Sequence, residues 1–402
     1  MIRLRPNRSA AHSLYAVLLC ATGAFLADIA WSTPVALPLA LLVPFGAAWV
    51  RRRWNAWMFS VGYFLAFARD VPYAASQFFP EAAPAWGVAA WVIHAGILAL
   101  VYAFIRTDRA ETTVVRLILA TLLMWAPPFG LIAWGNPMLA AGVLFPGTGI
   151  GGLLLLLSFM ATLLWASMRG LWKSFTGSLV GLVLVATGFN ALYQEPALPD
   201  GWFAQTTHIG RIADDPRLRH EQMKDLVRLA QRAMNEGATV IVFPESIWGS
   251  RRPATLAHLE RLNEEAKDKN VVLIVGEDLP THDGARYLNA LTALGVQEGM
   301  FSVARVPMPI GVWRMGFGYD AVASPFATDT AMLAGVPVAV AICYEAYILW
   351  PHWGLLTGQA KVLVASANQW SMRGRVAEDR QNLSRMVLAR LAGVPLLAAV
   401  NH

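Results

Sequence analysis

The sequence predicts a two-part protein, with an N-terminal all-α bundle of about seven transmembrane helices and a C-terminal α/β domain. The 402 residues are 56% hydrophobic and only 14% charged, which is too apolar for an ordinary soluble protein. Of the 58 charged residues, 19 precede Gly201 and 39 follow, so the two parts are suited to different solvents. Beyond Gly201, β-branched apolar runs alternate with amphipathic helical segments, which is typical of an α/β domain.

The boundary between the two parts lies in a short segment rich in helix-breaking residues. Pro196, Pro199 and Gly201 interrupt the chain just after the last long apolar run. We therefore assign residues 1–195 to the transmembrane bundle and residues 196–402 to the α/β domain.

Seven apolar runs in the first part have the composition of membrane spans, which need about 20 apolar residues each. They are residues 13–31, 34–50, 54–68, 86–105, 117–134, 150–168 and 175–193. The second and third runs are short. The segment 136–149 contains several Pro and Gly residues and is a candidate re-entrant segment.

Basic residues between these runs predict the orientation of the bundle. The clusters are Arg3, Arg5 and Arg8; Arg51, Arg52 and Arg53; Arg106 and Arg109; and Arg169 and Lys173. All four clusters lie on one side of the membrane if the N-terminus is cytoplasmic, as the positive-inside rule requires. An odd number of spans then places the α/β domain outside the cytoplasm, which is the periplasm for a bacterial inner membrane.

The remaining composition argues against several classes of function. The net charge of +6 does not indicate direct nucleic-acid binding, because the basic residues of the first part lie between apolar runs. The only two cysteines, Cys20 and Cys343, lie far apart, so we predict no disulfide framework. The eight histidines show no ligand spacing, and we predict neither a metal nor a cofactor.

Glu245 and Cys343 are the candidate chemical groups of the second part, because each directly follows an apolar strand. Side chains at such positions commonly emerge into a cleft on a rigid backbone. A thiol needs a base to become a nucleophile near neutral pH, and a carboxylate on another strand could serve. Glu345 is a candidate second acid. Taken alone, a cysteine in this position is more often a buried core residue, and a Pro-Glu pair is more often a solvated turn.

Four short segments, in order, resemble the nitrilase (carbon–nitrogen hydrolase) superfamily. They are Phe-Pro-Glu-Ser at 243–246, Tyr-Leu-Asn-Ala at 287–290, Ile-Cys-Tyr-Glu at 342–345 and Ala-Asn-Gln-Trp at 367–370. With apolar spans in front, the chain looks similar to apolipoprotein N-acyltransferase. The resemblance implies a nitrilase-like sandwich in which Glu245 is the general base and Cys343 the nucleophile. It also implies that Glu345 is an additional site glutamate and that Asn289, Asn368 and Trp370 contact the substrate.

This resemblance implies a reaction in which the cysteine takes an acyl group from a phospholipid as a thioester. The acyl group then passes to an amine, which in that family is the N-terminus of a lipoprotein. The family also uses a catalytic lysine, but the matching position here holds Ala304 or Arg305, depending on a one-residue shift. Arginine does not readily donate a proton.

Two further departures concern the family glutamate and the C-terminal end. The position of a family glutamate is occupied by Val312, and the chain ends at His402, where the family sandwich continues. We therefore expect a sandwich truncated at its C-terminal end, with an open sheet edge. Shorter conjugal transfer proteins of the TraB type fit these departures better, and this resemblance implies partners in a conjugation apparatus.

The sequence leaves two functions open. The first is a membrane-bound acyltransferase or amidase with weak or altered activity, using Arg305 in place of the lysine. The second is a nitrilase-like scaffold that has lost catalysis and acts in plasmid transfer. Transport is disfavoured, because only Asp28 and His94 are ionisable within the predicted spans.

Overall fold

A computed structural model describes residues 8–81, 84–314 and 320–402. The described residues form two compact units that divide between Tyr193 and Gln194, two residues before the predicted boundary. Arg3 and Arg5, which belong to the predicted N-terminal basic cluster, lie outside the described residues.

The first unit is helical throughout its described part. Its helices are α1 (Arg8–Ala30), α2 (Leu42–Trp49), α3 (Arg53–Phe67), α4 (Val71–Phe78), α5 (Ala85–Ile105), α6 (Ala110–Trp125), α7 (Ala141–Leu144), α8 (Ile150–Met168) and α9 (Trp172–Leu192). In the described residues, four helices are long and apolar enough to cross a membrane, namely α1, α5, α8 and α9. These four helices support the prediction that the chain is a membrane protein.

The other three predicted spans correspond to shorter helices. The run 34–50 folds as a 3₁₀ turn, Leu37–Leu41, that leads into α2. The predicted span 117–134 lies too far toward the C-terminus, because the corresponding helix, α6, begins at Ala110 and ends at Trp125. Pro127 and Pro128 follow directly, and proline cannot continue a helix because it lacks the N–H donor.

Close backbone approach joins α1 to α3. A Cβ atom added to Gly62 would lie 1.9 Å from the carbonyl oxygen of Cys20, and one added to Gly23 would lie 1.9 Å from that of Phe59. Small residues at a helix–helix contact are the usual way in which membrane helices pack closely.

The second unit alternates strands and helices as predicted. Its strands are β1 (Trp202–Ala204), β2 (Val240–Val242), β3 (Val272–Pro280), β4 (Tyr287–Gly295), β5 (Gly299–Val303), β6 (Thr330–Leu333), β7 (Val336–Ile342), β8 (Val362–Asn368) and β9 (Leu396–Asn401). Its helices are α10 (Pro216–Asn235), α11 (Pro253–Asp268), α12 (Trp353–Leu356) and α13 (Val376–Ala392). The sequence did not predict β5 and β6.

The strands form two sheets, with orders β1-β2-β3-β4-β5 and β6-β7-β8-β9. In the first sheet, Ile241 and Leu273 pack against the apolar faces of α10 and α11. Val242 and Ile274, which point to the opposite face, pack in one cluster with residues of β7, β8 and β9 such as Val340. Since α13 contacts β8 and β9, the layers follow the order helix, sheet, sheet, helix. The expected α/β sandwich is therefore present.

The edge of β9 is not fully open. The amide of Thr207 donates to the carbonyl of Val400 at 2.8 Å, and the amide of His402 donates to the carbonyl of Thr207 at 3.0 Å. The segment after β1 thus pairs with the C-terminal part of this edge, where the sequence analysis expected an open one.

Candidate active site

Glu245 lies just beyond the end of β2 and is 6% exposed. Its Oε1 accepts a hydrogen bond from Nδ2 of Asn289 at 2.5 Å, and its Oε2 accepts one from the amide of Asn368 at 3.0 Å. Gly276 makes room for this turn, because a Cβ atom there would lie 2.2 Å from the carbonyl oxygen of Pro244. The carboxyl group is therefore held in one orientation by β4 of its own sheet and β8 of the facing sheet.

Cys343 is the first residue after β7, and its φ angle is +50°. A non-glycine residue in this left-handed region carries backbone strain, which is common at functional sites. Its thiol lies close enough to the carboxyl group of Glu245 for each group to shift the pKa of the other. The carbonyl oxygen of Cys343 accepts from Nε2 of Gln381 at 2.8 Å, so α13 fixes the strained turn. Glu245 and Cys343 thus meet across the two facing sheets.

The two groups perturb each other in the direction expected for an acid–base pair. Burial raises the pKa of Glu245 to about 7, although the hydrogen bonds from Cys343, Asn289 and Asn368 oppose the rise. Burial, followed by the nearby Glu245 carboxylate, raises the pKa of the Cys343 thiol well above its usual range. Near neutral pH the thiol is therefore protonated, and the carboxyl group next to it has a pKa close to the ambient pH.

Asp278 is a second, partly buried acid near Glu245. Its Oδ1 accepts from Oγ of Ser246 at 2.7 Å, and Ser246 also has a left-handed φ of +48°. Burial raises the pKa of Asp278 to about 6, and its charge adds to the raised pKa of Glu245. The sequence analysis missed Asp278, although it lies in the strand that continues the apolar run 271–275.

Arg305 and Glu345 form a pair that is distinct from the Glu245–Cys343 contact. Nη2 of Arg305 lies 2.6 Å from Oε2 of Glu345, and the two side chains are 1% and 0% exposed. Nη2 also donates to the carbonyl of Val340, and Nη1 donates to that of Thr328 at 3.5 Å. All three guanidinium nitrogens are engaged, since Nε also donates to Glu345 at 3.3 Å.

Glu345 also holds the backbone near the cysteine. Its Oε1 accepts from the amides of Arg305 at 2.5 Å and Val306 at 3.0 Å, and its Oε2 accepts from the amide of Ile342 at 2.9 Å. Ile342 directly precedes Cys343, so Glu345 fixes the approach to the strained turn. In this geometry the side chain of Glu345 acts as an anchor for the backbone.

The two candidate positions for the family lysine lie in different surroundings. Ala304 is 2% exposed and belongs to the apolar cluster between the sheets, whereas the neighbouring Arg305 lies among polar groups. The polar groups around Arg305 can therefore hold a positive charge, whereas the apolar surroundings of Ala304 cannot. The chain has no lysine between Lys269 and Lys361.

The remaining predicted site residue lies on the turn after β8. Trp370 stacks under the guanidinium of Arg211, with 5.7 Å between the charge centre and the ring centroid. Asn401, which the sequence analysis missed, donates from Nδ2 to Oδ1 of Asn368 at 2.7 Å. Asn368 was predicted from the resemblance alone, whereas the strand-end position that indicated Glu245 and Cys343 could also have identified Asn401.

The fold and the site define a membrane protein whose α/β sandwich carries a cysteine–glutamate pair at the ends of facing strands. The conjugal transfer protein TraB of Agrobacterium fabrum is 30% identical over 93% of this chain and 90% of its own length. Apolipoprotein N-acyltransferase of Coxiella burnetii is 23% identical over 86% of this chain and 79% of its own length. The chain belongs to the family of the conjugal transfer protein TraB.

Comparison with solved structures gives a weaker likeness. A carbon–nitrogen hydrolase from Helicobacter pylori superposes with a TM-score of 0.35 and 14% identity, over 48% of this chain and 71% of that one. No family model matches the chain.

Proposed function

We propose that this protein is a membrane-bound, nitrilase-like acyltransferase that carries an acyl group on Cys343. The close approach of the Cys343 thiol and the Glu245 carboxyl group, at the ends of strands in the two facing sheets, is the observation that supports this proposal most directly. A nucleophile in contact with a base whose pKa is near neutral is the arrangement that covalent catalysis requires.

The reaction has two half-steps. The sulfur of Cys343 attacks the carbonyl carbon of a phospholipid acyl ester while Glu245 takes the thiol proton. The C–O bond breaks, and the proton passes to the departing alcohol of the lysophospholipid. An amine then attacks the thioester carbon, the C–S bond breaks, and the amine proton returns to the sulfur through Glu245. The amine of a lipoprotein N-terminus fits this second step.

The missing lysine lowers the expected rate. A tetrahedral intermediate carries an oxyanion, and losing one oxyanion donor commonly costs about 10²–10³ in rate. Arg305 already directs four of its five N–H donors to Glu345 and two backbone carbonyls, so it is poorly placed to replace the lysine as an oxyanion donor. The proposal is therefore an enzyme of weak or altered activity.

The cellular setting follows from the family and the charge pattern. We place the protein in the bacterial inner membrane with about seven spans, a cytoplasmic N-terminus and the α/β domain in the periplasm. TraB relatives carry the name conjugal transfer protein, and we infer that this chain acts in plasmid transfer with other proteins of a conjugation apparatus.

A scaffold without catalysis is the second candidate. The engagement of Arg305 by Glu345 favours it, because this guanidinium binds Glu345 and backbone carbonyls instead of the thiol. On this alternative, the Glu245–Cys343 pair is a remnant and the domain works through protein contacts.

Mass spectrometry of the full-length protein from its own membranes separates the two candidates. The acyltransferase predicts an acyl mass on the peptide of Cys343 that hydroxylamine removes and that Cys343→Ala abolishes. The control variant Cys20→Ala retains it. An unmodified Cys343, even after incubation with excess phospholipid, would overturn the acyltransferase and leave the scaffold.

A further inference from the structure

A second candidate site lies in the helical unit, in a groove between α2 and α9. The groove has a volume of about 880 Å³ and also touches α7 and α8. Its walls are almost entirely apolar, and include Leu42, Phe45, Leu156, Leu163, Leu179 and Val183. The amide of Asn190, one of its few polar groups, already donates to the carbonyl of Val143 at 2.9 Å. An apolar groove in a membrane-spanning unit favours the binding of hydrocarbon chains.

The dimensions of the groove indicate which kind of hydrocarbon fits. It follows α9 from Phe175 to Ala191, which is about 24 Å at ~1.5 Å per residue. A groove of this length with an almost entirely apolar lining suits an extended acyl chain that runs along α9.

One end of the groove is bordered by positive charge. Trp49 and Phe175 line this end, and Nε1 of Trp49 donates to Oγ of Ser167 at 2.8 Å, which joins the ends of α2 and α8. Exposed basic residues lie within three positions of these two aromatic residues, namely Arg51, Arg52 and Lys173. Arginine and lysine bind phosphate through charge-assisted hydrogen bonds, and such clusters at a membrane surface attract anionic lipids.

We propose that this groove binds an anionic phospholipid, with its acyl chain along α9 and its phosphate against Arg51, Arg52 and Lys173. The site does not depend on the proposed acyl transfer, because none of its residues belongs to the Glu245–Cys343 site. Lys173 lies at the start of α9, and the charge pattern assigns this end to the cytoplasmic leaflet. The bound lipid is therefore a structural ligand of the bundle.

Lipid retention in detergent tests this proposal with the full-length protein. The protein is incubated with equal amounts of phosphatidylglycerol and phosphatidylcholine, washed by gel filtration, and its bound lipid is quantified by mass spectrometry. We expect about one phosphatidylglycerol per chain and at least fivefold less phosphatidylcholine. The triple variant Arg51→Gln/Arg52→Gln/Lys173→Gln should lower phosphatidylglycerol retention at least fivefold.

A groove-filling variant tests the acyl-chain position separately. Thr187 is exposed and lines the groove, so Thr187→Phe should reduce retention without disturbing the helix packing. Leu184→Phe, on the same helix but outside the groove, should leave retention unchanged.

A charge-matched control lies in the other unit. The triple variant Lys224→Gln/Arg228→Gln/Lys267→Gln removes the same charge from exposed positions and should retain the lipid. Equal retention of both lipids by the unmodified protein would overturn the proposal. So would undiminished phosphatidylglycerol retention in both the basic-residue and the Thr187→Phe variants, or recovery of a second polypeptide in place of lipid.

Discussion

The carboxylate of Glu345 binds the guanidinium of Arg305 at 2.6 Å, and both side chains are almost completely buried. The same carboxylate accepts the amides of Val306 and Ile342, at 3.0 Å and 2.9 Å. One acidic side chain therefore neutralises a buried cation and also fixes the backbone that leads to Cys343. A buried pair of this kind contributes little net stability against an apolar replacement, but losing one partner leaves an unpaired buried charge.

The first prediction follows from this pair. Replacing Glu345 with alanine should lower the free energy of unfolding of the α/β unit by about 3–5 kcal/mol, because Arg305 is left buried without its counter-ion. Pulse proteolysis of the full-length protein in detergent and urea measures the change. Glu264→Ala, at an exposed position of α11, should change it by less than about 0.5 kcal/mol. Equal stability of the two variants would contradict the role of the pair.

Much of the α/β unit follows from local sequence patterns. The apolar run 336–342 and the amphipathic segment 217–235 agree with β7 and α10 to within one residue, because burial periodicity marks them clearly. The short strands β5 and β6 were missed. Residues such as Gly299, Met300 and Met332 lie at or near the surface there and show no clear alternation.

The candidate site was only partly predictable. Glu245, Asn289, Cys343 and Asn368 do come together, as the resemblance implied. The sequence does not specify which side chain a buried arginine contacts, because such pairs depend on residues 40 positions apart in the chain. The prediction of Arg305 as a replacement for the lysine therefore remains untested, and its observed contacts are with Glu345 and backbone carbonyls.

The second prediction concerns the pH dependence of thiol reactivity. Glu245 must be ionised to accept the thiol proton, and its pKa is about 7. Alkylation of Cys343 by iodoacetamide should therefore accelerate as the pH rises from 6 to 8. In Glu245→Gln the acceleration between pH 6 and 8 should disappear. The alkylation rate should then rise only at more alkaline pH, because burial still raises the pKa of the Cys343 thiol. Peptide mass spectrometry quantifies the alkylation of Cys343 separately from that of Cys20.

An unchanged pH profile in Glu245→Gln would show that another group accepts the proton. Asp278, whose pKa is about 6, is the neighbouring acid that would then be tested as the base.

If Glu245 is the base, Asp278→Asn should slightly lower the pH midpoint of Cys343 alkylation. Removing the negative charge of Asp278 lowers the pKa of Glu245.

The last prediction concerns Asn289, whose Nδ2 donates to Oε1 of Glu245 at 2.5 Å. This hydrogen bond favours the ionised carboxylate and so lowers its pKa. Replacing Asn289 with leucine keeps a side chain of similar size in this buried place but removes the donor. A hydrogen bond to a charged group contributes about 1.5–3 kcal/mol, which corresponds to roughly 1–2 pH units. The midpoint for Cys343 alkylation should therefore move from about 7 to a higher pH by that amount.

Asn263→Leu supplies the matched control for this shift. Asn263 donates to the exposed Glu298 at 2.7 Å, away from the cysteine, so its loss should leave the midpoint unchanged. A midpoint that stays near 7 in Asn289→Leu, or one that falls, would mean that Asn289 does not stabilise the Glu245 carboxylate. The amide of Asn368 would then be the main support of the charged form, because it donates to the other carboxylate oxygen.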